Sequence, residues 1–221
     1  MSSRTEILDK TGTFDIDAVK PINDYILVRV IEREVSLGGI IMPGHSTKGM
    51  EVVFGEVLAV GSGITDEASG ALYPMELRRG DHVAFMDYAG ERIVLRDGLH
   101  RLIRCHGVWA KVTLKDLKTC EVVDVEPRMD MLVVEPDDET MTRSGLIYLA
   151  NENRESQNRV ATVVKVGPGR WERGVGKRKP IQCRPGEKVV MMRYGGASII
   201  VNGRKLRILQ EDDIRCGFEE D

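Results

Sequence analysis

Gly38-Gly39-Ile40-Ile41-Met42-Pro43-Gly44 returns, altered but in register, as Ser144-Gly145-Leu146-Ile147-Tyr148-Leu149-Ala150, and the offset of 106 residues (145 − 39 = 106) decides the fold. The first stretch sets three large apolar residues between a Gly pair and a Pro-Gly, inside the polar segment from Glu32 to Val53. Ser36, His45, Ser46, Thr47, Lys48 and Gly49 surround it. A buried strand would be longer and end less abruptly, and Gly-Gly with Pro-Gly excludes a helix. The segment reads as a long, glycine-loosened loop with an apolar hook near its middle. Apolar side chains on a loop are costly unless something covers them, so the hook serves a partner.

The same offset holds without a gap across most of the chain. Pro21 pairs with Pro127, Asp24 with Asp130, Val28 with Val134, Val57 with Val163, and Gly61 with Gly167. Farther on, Pro74 pairs with Pro180, Gly80 with Gly186, Val83 with Val189, Tyr88 with Tyr194, and Arg101 with Arg207. Turn formers and apolar positions recurring in one register mark a tandem duplication. A period this long exceeds the roughly 20–50 residues of solenoid repeats, so each copy is a domain with its own core. The expected division is a polar extension (1–18), copy one (19–114), a linker (115–125), copy two (126–218) and a tail (219–221).

Within copy one, Tyr25 to Ile31 alternates as a strand, with Pro21 ahead of it. Phe54 to Gly61 is a second strand, and Ile64 to Leu77 a hairpin-like excursion with Ser69-Gly70 at its tip. His82 to Met86 is a further strand, and Arg92–Leu95 with Leu99–Arg104 form a pair about Asp97-Gly98. Copy two repeats the order, with Asn202-Gly203 marking its own hairpin turn. No segment shows helical periodicity. Short strands with regular turn signals predict an all-β fold, a barrel or sandwich formed twice.

Composition narrows the function classes. A net charge of −3 points away from nucleic acid and anionic membranes. No apolar run approaches the ~20 residues of a membrane span. The four cysteines form no CxxC pair and read as reduced thiols in a reducing compartment. Met1 to Lys20 lacks an apolar core and reads as neither a secretory signal nor a transit peptide.

Pro21-Ile22-Asn23-Asp24, Gly38-Gly39-Ile40-Ile41-Met42, Gly55-Glu56-Val57-Leu58-Ala59-Val60-Gly61 and Arg79-Gly80-Asp81-His82-Val83 together resemble the GroES-type co-chaperonins that cap chaperonin rings. Counted as two copies, the likeness covers most of the chain and looks like the double-domain form known from plastids. It implies two tandem, partly open β-barrels and a ring of domains with mobile loops at its rim. The loops would bind a GroEL-type chaperonin through Gly38, Gly39, Ile40, Ile41 and Met42, and through Gly145, Leu146, Ile147 and Tyr148. Copy two departs from the pattern, with Ser144 for the first Gly, Tyr148 as a bulkier tip, and Ala161-Thr162 for Gly55-Glu56.

The excursions correspond to the family's roof hairpin. Asp66 and Glu67 make one tip acidic, and Arg173, Lys177 and Arg178 make the other basic. Alternating domains would then place opposite charges side by side at the ring orifice. The resemblance also implies that ATP binds the chaperonin and that this chain carries no cofactor, no metal and no catalytic residue. Chaperonin rings of this class have seven subunits, whereas tandem chains supply domains in pairs. A mixed or mismatched cap is therefore expected, in which either one domain is left unused or three tandem chains join one single-domain co-chaperonin. The compartment fits a bacterial or virus-infected host cytosol, or an organelle after removal of a transit peptide.

Three other readings fail on the residues. Gly61-Ser62-Gly63 and Gly167-Pro168-Gly169 lack the third Gly of a dinucleotide fingerprint and lead into no helix, which removes a dehydrogenase. His100, Cys105 and His106 could be imagined as zinc ligands, but copy two has Leu206, Glu211 and Asp212 there and no fourth ligand is evident. A nucleic-acid-binding barrel would rest on the basic run Arg170 to Arg184 with Trp171, which copy one lacks. A structural ring that has lost its chaperonin is the nearer alternative, and the intact first hook argues against it.

Overall fold

A computed structural model describes residues 16–31, 34–37, 40–43, 52–137, 159–172, 174–192 and 195–218, with the backbone alone for 34–37, 40–43, 159 and 218. Copy one contributes β1 (Tyr25–Val30), β2 (Glu34–Leu37), β3 (Ile40–Pro43), β4 (Val52–Val60), β5 (Gly63–Thr65), β6 (Leu72–Pro74), β7 (His82–Met86), β8 (Glu91–Leu95), β9 (Gly98–Arg104) and β10 (Val108–Asp116). Copy two contributes β11 (Glu121–Pro127), β12 (Met131–Pro136), β13 (Arg159–Val166), β14 (Arg170–Trp171), β15 (Arg178–Lys179), β16 (Lys188–Met191), β17 (Ala197–Val201), β18 (Arg204–Gln210) and β19 (Ile214–Phe218). Only three short 3-10 turns, at Ile16–Ala18, Cys105–Gly107 and Glu211–Asp213, interrupt the strands among the described residues.

The duplication extends to the backbone. β1 pairs antiparallel with β4, with a register break between Leu27 and Val28; β12 pairs with β13 with the same break between Val133 and Val134, 106 residues on. Asn23 and Met129 hold matching left-handed conformations, φ 52° and 49°. Each faces a glycine at which nothing larger fits. A Cβ on Gly61 would lie 2.2 Å from the Asn23 carbonyl oxygen, and one on Gly167 would lie 2.3 Å from that of Met129. Ile26, Val28, Val57 and Val83 are buried in one barrel, as Leu132, Val134, Val163 and Val189 are in the other. Ile26–Val28 of β1, Val83–Met86 of β7 and Met131–Val134 of β12 are buried residue after residue, so these strands are covered on both faces. The fold is all-β, two tandem GroES-like barrels.

The residues expected to be a linker, 115–125, are mostly strand. β10 runs to Asp116 and β11 starts at Glu121, leaving a turn of Leu117–Cys120. The two strands pair antiparallel from Ala110↔Pro127 to Asp116↔Glu121, and β10 also pairs with β7 of copy one. β11 meets β17 of copy two in parallel at Val122↔Val201. A sheet of thirteen strands therefore passes through both copies. Val122 and Val125 bury one face of β11 in a cluster with Ala84, Ala110 and Val112 of copy one and Met131, Val133, Ile199 and Ile208 of copy two. The third core sits between the barrels and is shared by them.

Two local expectations also change. Asp97-Gly98 is not the two-residue turn of its hairpin, because Leu95 pairs with Gly98 and the turn is Arg96-Asp97. That shift brings copy one into line with Val201↔Arg204 and the Asn202-Gly203 turn of copy two. The extension's last residues, Ile16–Ala18, form a 3-10 turn, and Ile16 and Val19 pack on Leu27, Leu58 and Leu95.

Candidate functional site

The first hook lies on a strand. Residues Ile40–Pro43 (β3) pair with Glu34–Leu37 (β2) in a separate antiparallel ribbon, in the register Leu37↔Ile40, Ser36↔Ile41, Val35↔Met42 and Glu34↔Pro43. This corrects the expectation of a loop for Ile40, Ile41 and Met42. The window from Gly-Gly to Pro-Gly looked too short for a strand, but Glu34-Val35-Ser36-Leu37 alternates just before it and supplies the partner. Gly38 and Gly39 lie outside the described residues, as does the whole second hook, Gly145, Leu146, Ile147 and Tyr148. Among the described residues the ribbon forms a two-stranded sheet of its own, separate from the thirteen-stranded sheet.

The two roof excursions are hairpins that meet across the joint. β5 pairs with β6 in copy one, and β14 with β15 in copy two. Asp66 folds its own tip: its Oδ2 accepts a hydrogen bond from the Ser69 hydroxyl at 2.6 Å. The same oxygen accepts the backbone N–H of Gly174, at the copy-two tip, at 2.8 Å. The Ser69 hydroxyl first, and then backbone N–H groups including that of Gly174, hold the Asp66 carboxyl below the usual carboxylate range. The Tyr73 hydroxyl donates to the Glu172 carbonyl at 3.1 Å, and the Tyr73 ring stacks on Trp171 with centroids 5.4 Å apart. Arg178 lies over the other ring of the pair, 4.6 Å from the Trp171 centroid.

Beneath the tips, the Glu76 carboxylate of copy one is shared by two guanidinium groups of copy two. It pairs with Arg178, and its Oε2 lies 3.4 Å from Arg128. Arg128 is only 5% exposed. It donates to the Cys105 carbonyl at 2.8 Å, to the Val108 carbonyl at 3.4 Å, and to the Cys105 Sγ at 2.9 Å. Its backbone N–H donates to the Trp109 carbonyl at 2.9 Å. Every arm of the fork thus reaches copy one. Within the chain the Asp66 tip meets the other hairpin at the Gly174 N–H, and the ion pairing beneath the tips runs through Glu76. Glu67 and Lys177 are exposed and enter no ion pair among the described residues; Arg173 lies outside them.

Sequence reasoning passed over Glu76 and Arg128. A signal was present: Arg128 stands where copy one has Ile22, and Glu76 where copy two has Gln182. Charged residues that break a repeat on one side only are candidates for contacts between its copies. The three residues weighed as zinc ligands are not brought together as a site. His100 is buried beside Asp97, Cys105 contacts Arg128, and His106 is exposed beside Asp24. Among the described residues no group of three or more His, Cys, Asp or Glu could hold a metal ion, and no helix is long and apolar enough to cross a membrane.

The family model of the chaperonin 10 Kd subunit matches residues 18–112 and again 124–218. The chloroplastic 20 kDa chaperonin of Spinacia oleracea is 27% identical over 199 residues, 89% of this chain and 74% of that one. Its counterpart in Arabidopsis thaliana is 29% identical over 181 residues, 81% of this chain and 67% of the relative. The co-chaperonin GroES of Mycobacterium leprae (strain Br4923) is 39% identical over 93 residues, which is 42% of this chain and 91% of its own. The long matches span both copies, and the short one has the length of a single copy.

Proposed function

Because the chain belongs to the chaperonin 10 Kd subunit family, and does so twice over, we propose that it is a co-chaperonin that caps a GroEL-type chaperonin ring and assists ATP-dependent protein folding. The observation that supports the reading is the self-paired ribbon of Glu34–Leu37 with Ile40–Pro43, which among the described residues is a sheet separate from the thirteen-stranded one. It offers Ile40, Ile41 and Met42 as the hook. Leu146, Ile147 and Tyr148 are the second hook by their place in the repeat. ATP binds the chaperonin, and this chain acts by binding, with no cofactor, metal or catalytic step of its own.

The physics of such a cap favours weak, repeated attachment. Ordering a loop residue costs about 1–2 kcal/mol of backbone entropy. Each buried aliphatic side chain returns roughly 1.5–3 kcal/mol. One hook therefore binds marginally. Several hooks on a rigid ring bind tightly through effective concentration, and release together when the partner's grooves change shape. A ribbon that is already paired gives up less entropy than an open loop, so fewer apolar residues suffice.

The ring is built of domains from this chain, mixed with a single-domain co-chaperonin to present seven. Names of two-domain relatives, both chloroplastic, favour the organelle over a bacterial or infected-cell cytosol. Neither nucleic acid nor membrane is a partner. Replacing Ile40 and Ile41 together by Ser tests the reading. ATP-dependent co-sedimentation with a chaperonin ring is expected to be lost while the β-sheet circular dichroism spectrum stays unchanged. Undiminished co-sedimentation would reject the hook assignment.

A further inference from the structure

The joint inside the chain shows what the two flanks of a barrel are for. Copy one turns an outgoing flank to its neighbour, made of Glu76, Cys105 and β10. Copy two receives it on an incoming flank made of Arg128, Arg178 and β11. Copy one has an incoming flank too, and the repeat locates it. Ile22, Ile64 and Leu72 stand at the places of Arg128, Arg170 and Arg178. They are 69%, 39% and 57% exposed, among the most exposed large apolar residues of the described chain. Beside them Ile16 and Val19 take the places of Val122 and Val125 in the repeat, but they pack only on Leu27, Leu58 and Leu95 of their own barrel, whereas Val122 and Val125 pack against residues of both copies.

Copy two has the matching outgoing flank in β19, whose inner edge pairs with β16 as β10 pairs with β7. The strand equivalence is close. The clasp residues, however, are gone. Gln182 replaces Glu76, and Glu211 replaces Cys105. The Glu211 carboxylate there accepts the backbone N–H of Gln182 at 2.7 Å. Joined in the same way, two chains would set Ile22 and Leu72 opposite an amide and a carboxylate. No shared carboxylate between two guanidinium groups could form. A heterologous joint of this kind repeats head to tail and makes a ring when its rotation closes, and in such a ring both joints coexist.

We infer that the Ile22–Ile64–Leu72 flank docks the outgoing flank of a second copy of this chain, and that this joint is the weak one at which the ring opens. The inference rests on the ring-forming part of the proposed function and not on chaperonin binding. Strong joints lie within chains and weak joints between them, alternating round the ring. Chains then enter and leave as intact domain pairs, and a subunit of another kind is inserted only at a chain end.

Sedimentation velocity across a dilution series of the full chain tests this. The triple variant Ile22→Arg, Leu72→Arg, Gln182→Glu rebuilds the clasp between chains. The concentration at half-dissociation is expected to fall at least tenfold, with the gain removed by high salt. Ile22→Glu, a change at an exposed site that the fold tolerates, sets two carboxylates together and is expected to raise it at least tenfold. Glu76→Gln, which cuts only the clasp inside the chain, should leave it within twofold. An unchanged triple variant, an unchanged Ile22→Glu, or a Glu76→Gln effect as large as either would overturn the inference. So would a wild-type chain that enters complexes with added Mycobacterium leprae GroES but never with itself. Co-sedimentation with a chaperonin is scored separately; its loss alone, with the assembly results as expected, sinks the functional reading and leaves this one standing.

Discussion

Gly61→Ala and Gly167→Ala are one lesion made twice, and their costs should match. Neither glycine is needed for a left-handed backbone; both are needed for close approach. The added methyl would sit 2.2 Å from the Asn23 carbonyl oxygen in copy one and 2.3 Å from that of Met129 in copy two. Neither oxygen can retreat freely, since Asn23 accepts the Gly63 N–H at 2.9 Å and Met129 accepts the Gly169 N–H at 2.9 Å. Relief of the contact needs a shift of about an ångström in backbone that is already in the left-handed region, and overpacking of this kind costs about 1–3 kcal/mol. For a chain of this size that corresponds to a fall in Tm of roughly 2–12 °C, at about 2–4 °C per kcal/mol.

The assay is urea unfolding, followed by far-ultraviolet circular dichroism and by the fluorescence of Trp109 and Trp171, one in each copy. The two single variants should lose stability to within about 1 kcal/mol of each other, and the double variant should lose about the sum, since the sites share no partner. Both probes should report one transition, because the cluster between Ala84, Ala110 and Val112 and Val122, Met131 and Ile208 belongs to both barrels. A cost below about 0.5 kcal/mol for either substitution, the range of surface changes, would refute the close approach. Two well-separated transitions would refute the shared core.

Two further outcomes follow from the joint. Arg128→Met removes bonds to the Cys105 and Val108 carbonyls and one partner of Glu76, and should cost about 2–4 kcal/mol of stability in urea; a neutral result would mean that the fork contributes nothing net. Asp66 should titrate by carboxyl NMR below the usual carboxylate range, and Ser69→Ala should move its midpoint upward. Since its folded pKa is depressed, the stability it adds is present above the unfolded value and is lost as pH falls through the folded one, so acid should loosen the tips only below the ordinary Asp range. A midpoint that ignores Ser69 would sink that assignment.

The sequence made the duplication legible because a barrel core constrains residue type at fixed intervals. Val57 with Val163 and Gly61 with Gly167 are kept by burial and by clash, and both effects act within one copy. The hook ribbon was half legible: the apolar triplet stands out between its glycines, but its partner strand Glu34–Leu37 lies outside that window and alternates over only four residues. Residues 115–125 read as a linker since hairpin pairing between copies has no counterpart inside a copy. The clasp was illegible for the same reason. Glu76 and Arg178 are 102 residues apart (178 − 76 = 102), in different copies, and repeat matching discards the positions at which the copies differ.

The central claim is the proposed meeting of the two hooks with a chaperonin, and amide hydrogen exchange reads it directly. Peptides covering 38–42 and 145–148 are to be followed in the full chain alone, with a chaperonin ring, and with ring plus ATP or ADP. The account predicts slowed exchange in these peptides only when ring and nucleotide are both present, with the barrel strands unchanged. Equal exchange with and without the nucleotide-bound ring, in both peptides, would contradict it.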